Sequence, residues 1–136
     1  MAASGNAEEL KMGQSFPKKE KLKSKKLITQ LFEEGKSISS YPVKLMYLKT
    51  DLPFGIPIQA GVTVPKKKFK SAVKRNQIKR LLRESYRLNK GSVFNNSKGS
   101  FAFLFLYLGN EIPTSKIIDE HIKVVLHKFK KKIDDE

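Results

Sequence analysis

FAFLFLYL, residues 101–108, is apolar at every one of its eight positions. Successive side chains of a strand point to opposite faces, so an unbroken apolar run of this length predicts a strand buried on both sides. It is too short for a buried helix, and no apolar run approaches the roughly 18 residues of a membrane span. A strand of this kind must sit inside a sheet, so the rest of the chain has to supply flanking strands and covering helices. At 136 residues there is material for one such core.

The remaining segments fit that requirement. MAASGNAEELKMGQS, residues 1–15, is small, polar and aperiodic, and predicts a disordered tail ahead of a single domain over 16–136. Leu22, Leu27, Ile28, Leu31 and Phe32 recur at helical spacing, with Ser24 placed to cap the first helix and Gly35 to stop it. VKLMYLK (43–49) and IPIQAGVTV (56–64) read as strands of an antiparallel hairpin across Pro53, Phe54 and Gly55. In the second of these, Ile56, Ile58, Ala60, Val62 and Val64 share one face, and Gln59, Gly61 and Thr63 the other. A second helix is expected over 71–88, then a polar loop from Lys90 to Ser100. Ile118, Ile122, Val125, Leu126, Phe129 and Ile133 trace a third helix.

Charge narrows the partner. Lys+Arg number 28 against 13 Asp+Glu, a formal charge of +15 that gathers polyanions around the molecule and makes nucleic acid the leading partner class. The N-terminus lacks the basic-then-apolar layout of a secretion signal, and a cytoplasmic protein without membrane attachment is expected. Zero cysteines exclude disulfides, thiolate zinc sites and cysteine nucleophiles, and are compatible with a reducing compartment. His121 and His127 are six residues apart, about 120° around a helix, so they cannot share a metal as an i, i+4 pair does. Asp119 and Glu120 beside His121 read as a solvated helix edge. No glycine-rich phosphate loop, nucleophile elbow or paired inward carboxylates occur. No catalytic residue, metal site or protein-bound cofactor is therefore expected.

All four arginines lie within SAVKRNQIKRLLRESYR, residues 71–87, while the 24 lysines are spread along the chain. On a helical wheel Ile78, Leu81, Leu82, Ser85 and Leu88 form a packing face. Asn76, Lys79, Arg80, Arg83 and Arg87 gather opposite, with Arg75 at the edge. With Glu84 the sole acid, neighbouring cations on this face repel one another at i, i+4 spacing. Arginine's planar fork grips phosphate bidentately, which gives such a face a use that a solvated lysine–glutamate mixture lacks. Lys66, Lys67, Lys68 and Lys70 precede it and Lys74 opens it, so residues 66–90 hold eleven basic residues against one acid. The helix N-terminus adds unsatisfied amide donors.

GVTVPKKKFKSAVKRNQIKRLLR, residues 61–83, resembles the protein subunit of bacterial ribonuclease P, whose signature is an Arg-Asn-Arg element on a basic helix after such a strand. In weaker form the resemblance extends over about residues 16 to 133. It implies an α/β (α+β) two-layer sandwich with a central, mostly antiparallel sheet and three helices in the order αβββαβα. It also implies a left-handed crossover through helix two, against the usual rule. The residue pattern alone gives two strands before that helix, with 37–49 the region to be split or bent. By resemblance, Arg75, Asn76, Lys79, Arg80 and Arg83 contact a large catalytic RNA, and Gln77 stands where the family has arginine, giving an uncharged contact. A cleft between helix one and the sheet would hold the single-stranded 5′ leader of precursor tRNA, with Phe32, Tyr47, Lys66 and Lys67 as the candidates here. Ile28 falls where many members carry an aromatic. Mg²⁺ would act through the RNA, the protein alone would be inactive, and a monomer would join the RNA one to one.

The runner-up is a free-standing basic RNA-binding module. KGSFAFLF, residues 98–105, nearly matches an RNA-recognition motif that would put Phe101, Phe103 and Phe105 under bases, but Ser100 breaks the spacing and the element order differs. A DNA reader is a third option, lacking a preceding helix at helix-turn-helix spacing.

Overall fold

In the computed structural model, which describes residues 16–94 and 99–134, the apolar run supplies β4 (Phe101–Tyr107). Its companions are β1 (Lys36–Ser40), β2 (Val43–Lys49) and β3 (Ile58–Thr63), in the sheet order β1-β2-β4-β3. The expected tail over 1–15 lies outside the described residues. β4 is interior, as its composition requires: antiparallel β2 pairs on one edge, with Leu45 opposite Phe105, and parallel β3 on the other, with Ala60 opposite Phe103.

That insertion overturns the expected hairpin. The segments 43–49 and 56–64 do not pair with each other, because the strand with two apolar faces takes the place between them. The hairpin is instead β1–β2, closed by the two-residue turn Tyr41–Pro42 with a cis peptide bond. The stretch 36–49 is thus two strands, which supplies the third strand ahead of helix two. With α1 (Lys25–Glu34), α2 (Ala72–Asn89) and α3 (Ser115–Asp134), the order αβββαβα is complete. A single helical turn, Gly91–Phe94, stands within the stretch expected to be loop.

The two faces of β4 are covered differently. Phe101, Phe103, Phe105 and Tyr107 join Val43, Leu45, Tyr47, Ile58 and Ala60 under α2 and α3. Phe129 of α3 meets the rings of Phe103, Phe101 and Tyr47 edge-on, with centroids 4.8, 5.0 and 5.0 Å away. Such rings add about 0.5–1.5 kcal/mol per pair beyond their area burial. On the opposite face Ala102, Leu104 and Met46 pack against Leu22 and Leu31, the latter from α1. Ser24 Oγ accepts the Leu27 N–H at 3.2 Å to cap α1. A Cβ on Gly35, where α1 ends, would collide with the Leu31 carbonyl, so the helix stop there requires glycine for space.

All six residues of the third apolar stripe are buried on α3. α2 departs from its wheel: Ile78, Leu82 and Ser85 are buried as expected, but Tyr86 replaces Leu88, which is 48% exposed, and Leu81 is half-buried. The buried face is turned toward Tyr86, whose ring reaches Phe105 at 5.4 Å and Phe103 at 6.4 Å.

Residues 16–22 form a strap across this side. Phe16 meets Tyr86 edge-on at 5.5 Å, Gln59 Nε2 donates to the Lys19 carbonyl at 3.0 Å, and Leu22 N–H donates to Ala60 O at 2.9 Å on the outer edge of β3. Glu20 anchors the strap by a 2.5 Å ion pair with Lys90 at the C-terminus of α2, both residues being buried. Burial, with Glu20 nearby, pushes the Tyr86 hydroxyl far above the usual tyrosine range.

Two stability measurements check this description. Glu20→Ala strands Lys90 without its carboxylate and is expected to lower the unfolding free energy by about 3 kcal/mol in urea titration. Phe54 is 85% exposed with φ +60°, followed by Gly55 at +65°, in a tight turn closed by Ile56 N–H to Pro53 O at 3.2 Å. Left-handed backbone disfavours phenylalanine and suits asparagine, so Phe54→Asn is expected to raise stability by about 1 kcal/mol.

Candidate nucleic-acid interface

The loop between β3 and α2 turns tightly. The amides of Lys68 and Phe69 donate to the Pro65 carbonyl at 3.2 and 3.4 Å. Phe69 is buried against Tyr107, with ring centroids 6.1 Å apart, so the apolar residue anchors the loop and leaves Lys66, Lys67, Lys68 and Lys70 exposed. The ammonium of Lys68 reaches the Leu108 carbonyl. Ser71 then caps α2, its hydroxyl accepting the Lys74 N–H at 3.3 Å, and Lys74, Asn76 and Gln77 are exposed on the first turns.

The arginines divide by partner. Arg75 folds back on the loop: its Nη1 donates to Phe69 O at 2.7 Å and Lys70 O at 2.9 Å, and it is half-buried. Arg75, expected to grip RNA, ties the lysine loop to the helix through its Nη1. Arg87 is engaged by Glu84, Nη2 to Oε1 at 2.5 Å and Nε to Oε2 at 3.1 Å. That guanidinium holds the Glu84 carboxyl below its usual range, and Glu84 raises Arg87 in turn. Arg80 and Arg83, exposed three residues apart on one side, meet no carboxylate among the described residues. Lys79 is half-buried beside them. Lys90, part of the basic count from the sequence, leaves the surface for its pair with Glu20.

The proposed cleft residues do not all converge. Phe32 stands 54% exposed on α1, and Ile28 is half-buried against the small cluster beneath that helix. Tyr47, however, is 3% exposed and faces the opposite side of the sheet, in the core with Phe129. Strand parity is the reason: Val43, Leu45 and Tyr47 point toward α3, so Lys44, Met46 and Leu48 point toward α1. Lys44, Leu106 and Thr63 lie in one row across β2, β4 and β3, all half-buried, and floor the open part of the α1 side. Lys44 escaped the sequence reading although the alternation of VKLMYLK signals it.

Other expectations resolve on the same geometry. Phe101, Phe103 and Phe105 are buried, which removes the RNA-recognition-motif reading of that strand. His121 Nδ1 lies 2.7 Å from Ser40 Oγ, while His127 is exposed. Asp119 is no solvated edge: it accepts from Asn89 at 2.7 Å and Ser85 at 3.0 Å and pairs with Lys123 at 3.0 Å, joining α2 to α3. Burial pushes its carboxyl up, and the bonds from Lys123, Asn89 and Ser85 outweigh that, leaving it below the usual range.

The profile of the ribonuclease P family matches residues 16–130, nearly the whole described chain. The chain belongs to the ribonuclease P protein family. The ribonuclease P protein component of Porphyromonas gingivalis is 33% identical over 105 residues, covering 75% of this chain and 77% of that protein. The one from Chlorobium phaeobacteroides is 33% identical over 129 residues, covering 85% and 88%. In fold, the RNase P protein of Thermotoga maritima matches with a TM-score of 0.66 at 23% identity, over 80% of this chain and 96% of that one. That of Staphylococcus aureus gives 0.66 at 20% identity, over 82% and 95%. As a ribonuclease P protein, the chain is a component of a ribonucleoprotein endoribonuclease of tRNA processing, with RNA as its partner. No helix among the described residues is long and apolar enough to cross a membrane.

The division among the arginines is open to measurement. Arg75→Lys keeps the charge but loses the fork that reaches two carbonyls, and is expected to lower stability by about 1–2 kcal/mol. Arg80→Lys should leave it within about 0.5 kcal/mol. Equal midpoints in urea for the two variants would contradict the assignment.

Proposed function

We propose that this ribonuclease P protein binds the catalytic RNA through the outer face of α2 and the lysine loop, and holds the single-stranded 5′ leader of precursor tRNA on the α1 side of its sheet. The observation that carries this reading is the exposure of Arg80 and Arg83 on one helix face without a carboxylate among the described residues to neutralise them. Within the fold such a face is a net repulsion, and a polyphosphate relieves it. Lys66, Lys67, Lys70, Lys74 and Lys79 extend the positive field. Asn76 and Gln77 add uncharged donors that fix orientation rather than strengthen salt dependence.

The leader groove takes its cation from Lys44 and the lysine loop and its aromatic face from Phe32, with Leu106 and Thr63 as floor. Tyr47 has no place in it. Mg²⁺ is carried by the RNA, which performs the hydrolysis, and the protein joins that RNA as a monomer, one to one, in the cytoplasm. The protein's part is electrostatic: positive charge close to the substrate phosphates replaces part of the magnesium that RNA alone would need to hold them.

Reconstitution tests this. Added to a bacterial ribonuclease P RNA with precursor tRNA, the protein is expected to produce 5′ cleavage at magnesium concentrations where the RNA alone is silent. A stand-alone RNA-binding module would bind and give no cleavage. Arg80→Ala and Arg83→Ala should each weaken RNA binding and flatten the plot of log affinity against log salt by roughly one unit, whereas unchanged slopes would remove the α2 face from the interface.

A further inference from the structure

Tyr41 is 64% exposed in the turn between β1 and β2, where its ring contributes little to the core. A lone surface aromatic is ordinary, so its surroundings decide its meaning. The next residue, Pro42, accepts the Leu108 N–H at 2.7 Å, and the Leu108 carbonyl accepts from the Lys68 ammonium. The turn and the lysine loop are therefore fastened to the same end of β4. Tyr107 lies between them: its ring packs on Phe69, the buried anchor of that loop, and its hydroxyl donates to Glu111 O at 2.5 Å. Burial first, then the charges of Tyr41 and Glu111, push the Tyr107 hydroxyl above its usual range. Glu111 is the acidic residue at this rim. The loop anchored by Phe69 carries the exposed Lys66, Lys67 and Lys68, of which Lys68 reaches the Leu108 carbonyl.

An aromatic face bordered by lysines is the combination that binds unpaired nucleotides, with stacking on the ring and charge along the backbone. We propose that Tyr41 is a stacking site for an unpaired nucleobase of the bound RNA, the adjoining phosphates lying along the lysine loop. The site shares the lysine loop with the leader groove but not its Phe32 and Lys44, because Tyr107 belongs to the sheet face covered by α2 and α3, not to the α1 side. It rests on the reading that the lysine loop faces RNA.

The chain has no tryptophan, so Tyr41→Trp places a single reporter at the site. With bacterial ribonuclease P RNA as the probe and full-length protein, its emission is expected to be quenched at saturation. Tyr41→Ala should weaken binding about ten-fold and Tyr41→Phe less than about two-fold, with the salt slope unchanged because no charge is lost. Binding by Tyr41→Ala within about two-fold of the parent, or unquenched tryptophan at saturation, overturns the site. Equal losses for Phe and Ala assign a hydroxyl hydrogen bond and overturn stacking. Arg80→Ala in the same titration separates the two readings: if it loses affinity while Tyr41→Ala does not, only the stacking site fails, and if neither does, both fail.

Discussion

β4 can be buried only if strands flank both of its edges and helices cover both of its faces, and each of those demands is met by a different part of the chain. β2 and β3 take the edges, α2 and α3 the aromatic face, and α1 with Leu22 the smaller aliphatic one. The arrangement sets the position of everything functional. β3 runs parallel to β4, so the chain must return along the sheet between them, and the segment that does so is the arginine helix. Its inner side is fixed by Ile78, Leu82 and Tyr86 in the core, which leaves Arg80 and Arg83 outward. Orientation of the basic face is thus a by-product of packing.

Charge in this molecule is sorted by distance from the core. Lys90 and Glu20 form a buried pair that holds the strap to α2, Arg75 caps loop carbonyls, and Asp119 gathers donors from two helices. These buried or half-buried charges are held by partners, since leaving them unpaired would be strongly destabilising. Farther out, the lysines of the loop and the two arginines lie in high dielectric, where repulsion is screened and modest. A formal charge of +15 is tolerated because most of it is carried at such positions.

Much of this was legible from residue patterns, and the failures have definite causes. The eight apolar residues at 101–108, the six-residue stripe of α3 and the capping residue Ser24 depend on local pattern, which a linear sequence records directly. Pairing of 43–49 with 56–64 is the local hairpin that the pattern favours, but β4, which begins only at Phe101, takes the place between them. Tyr47, named for the cleft by resemblance, falls on the core face by the alternation of its own strand, where Lys44 marks the wetter side. Arg75 and Lys90 look like any other surface cation in the sequence. Their carbonyl and carboxylate partners come together only when a loop turns or when residues 20 and 90 meet in space. The tally of eleven basic residues therefore overstates the free positive surface.

The strap formed by residues 16–22 has a consequence for handling and for the cell. By pairing with Ala60 it occupies the outer border of β3, the side of the sheet where peptide groups would otherwise stand open. A chain trimmed by a protease beyond Glu20 would lose both the anchor and this cover, and two such molecules could join border to border into a continuous sheet. Solubility of the protein thus depends on a few residues ahead of its first helix.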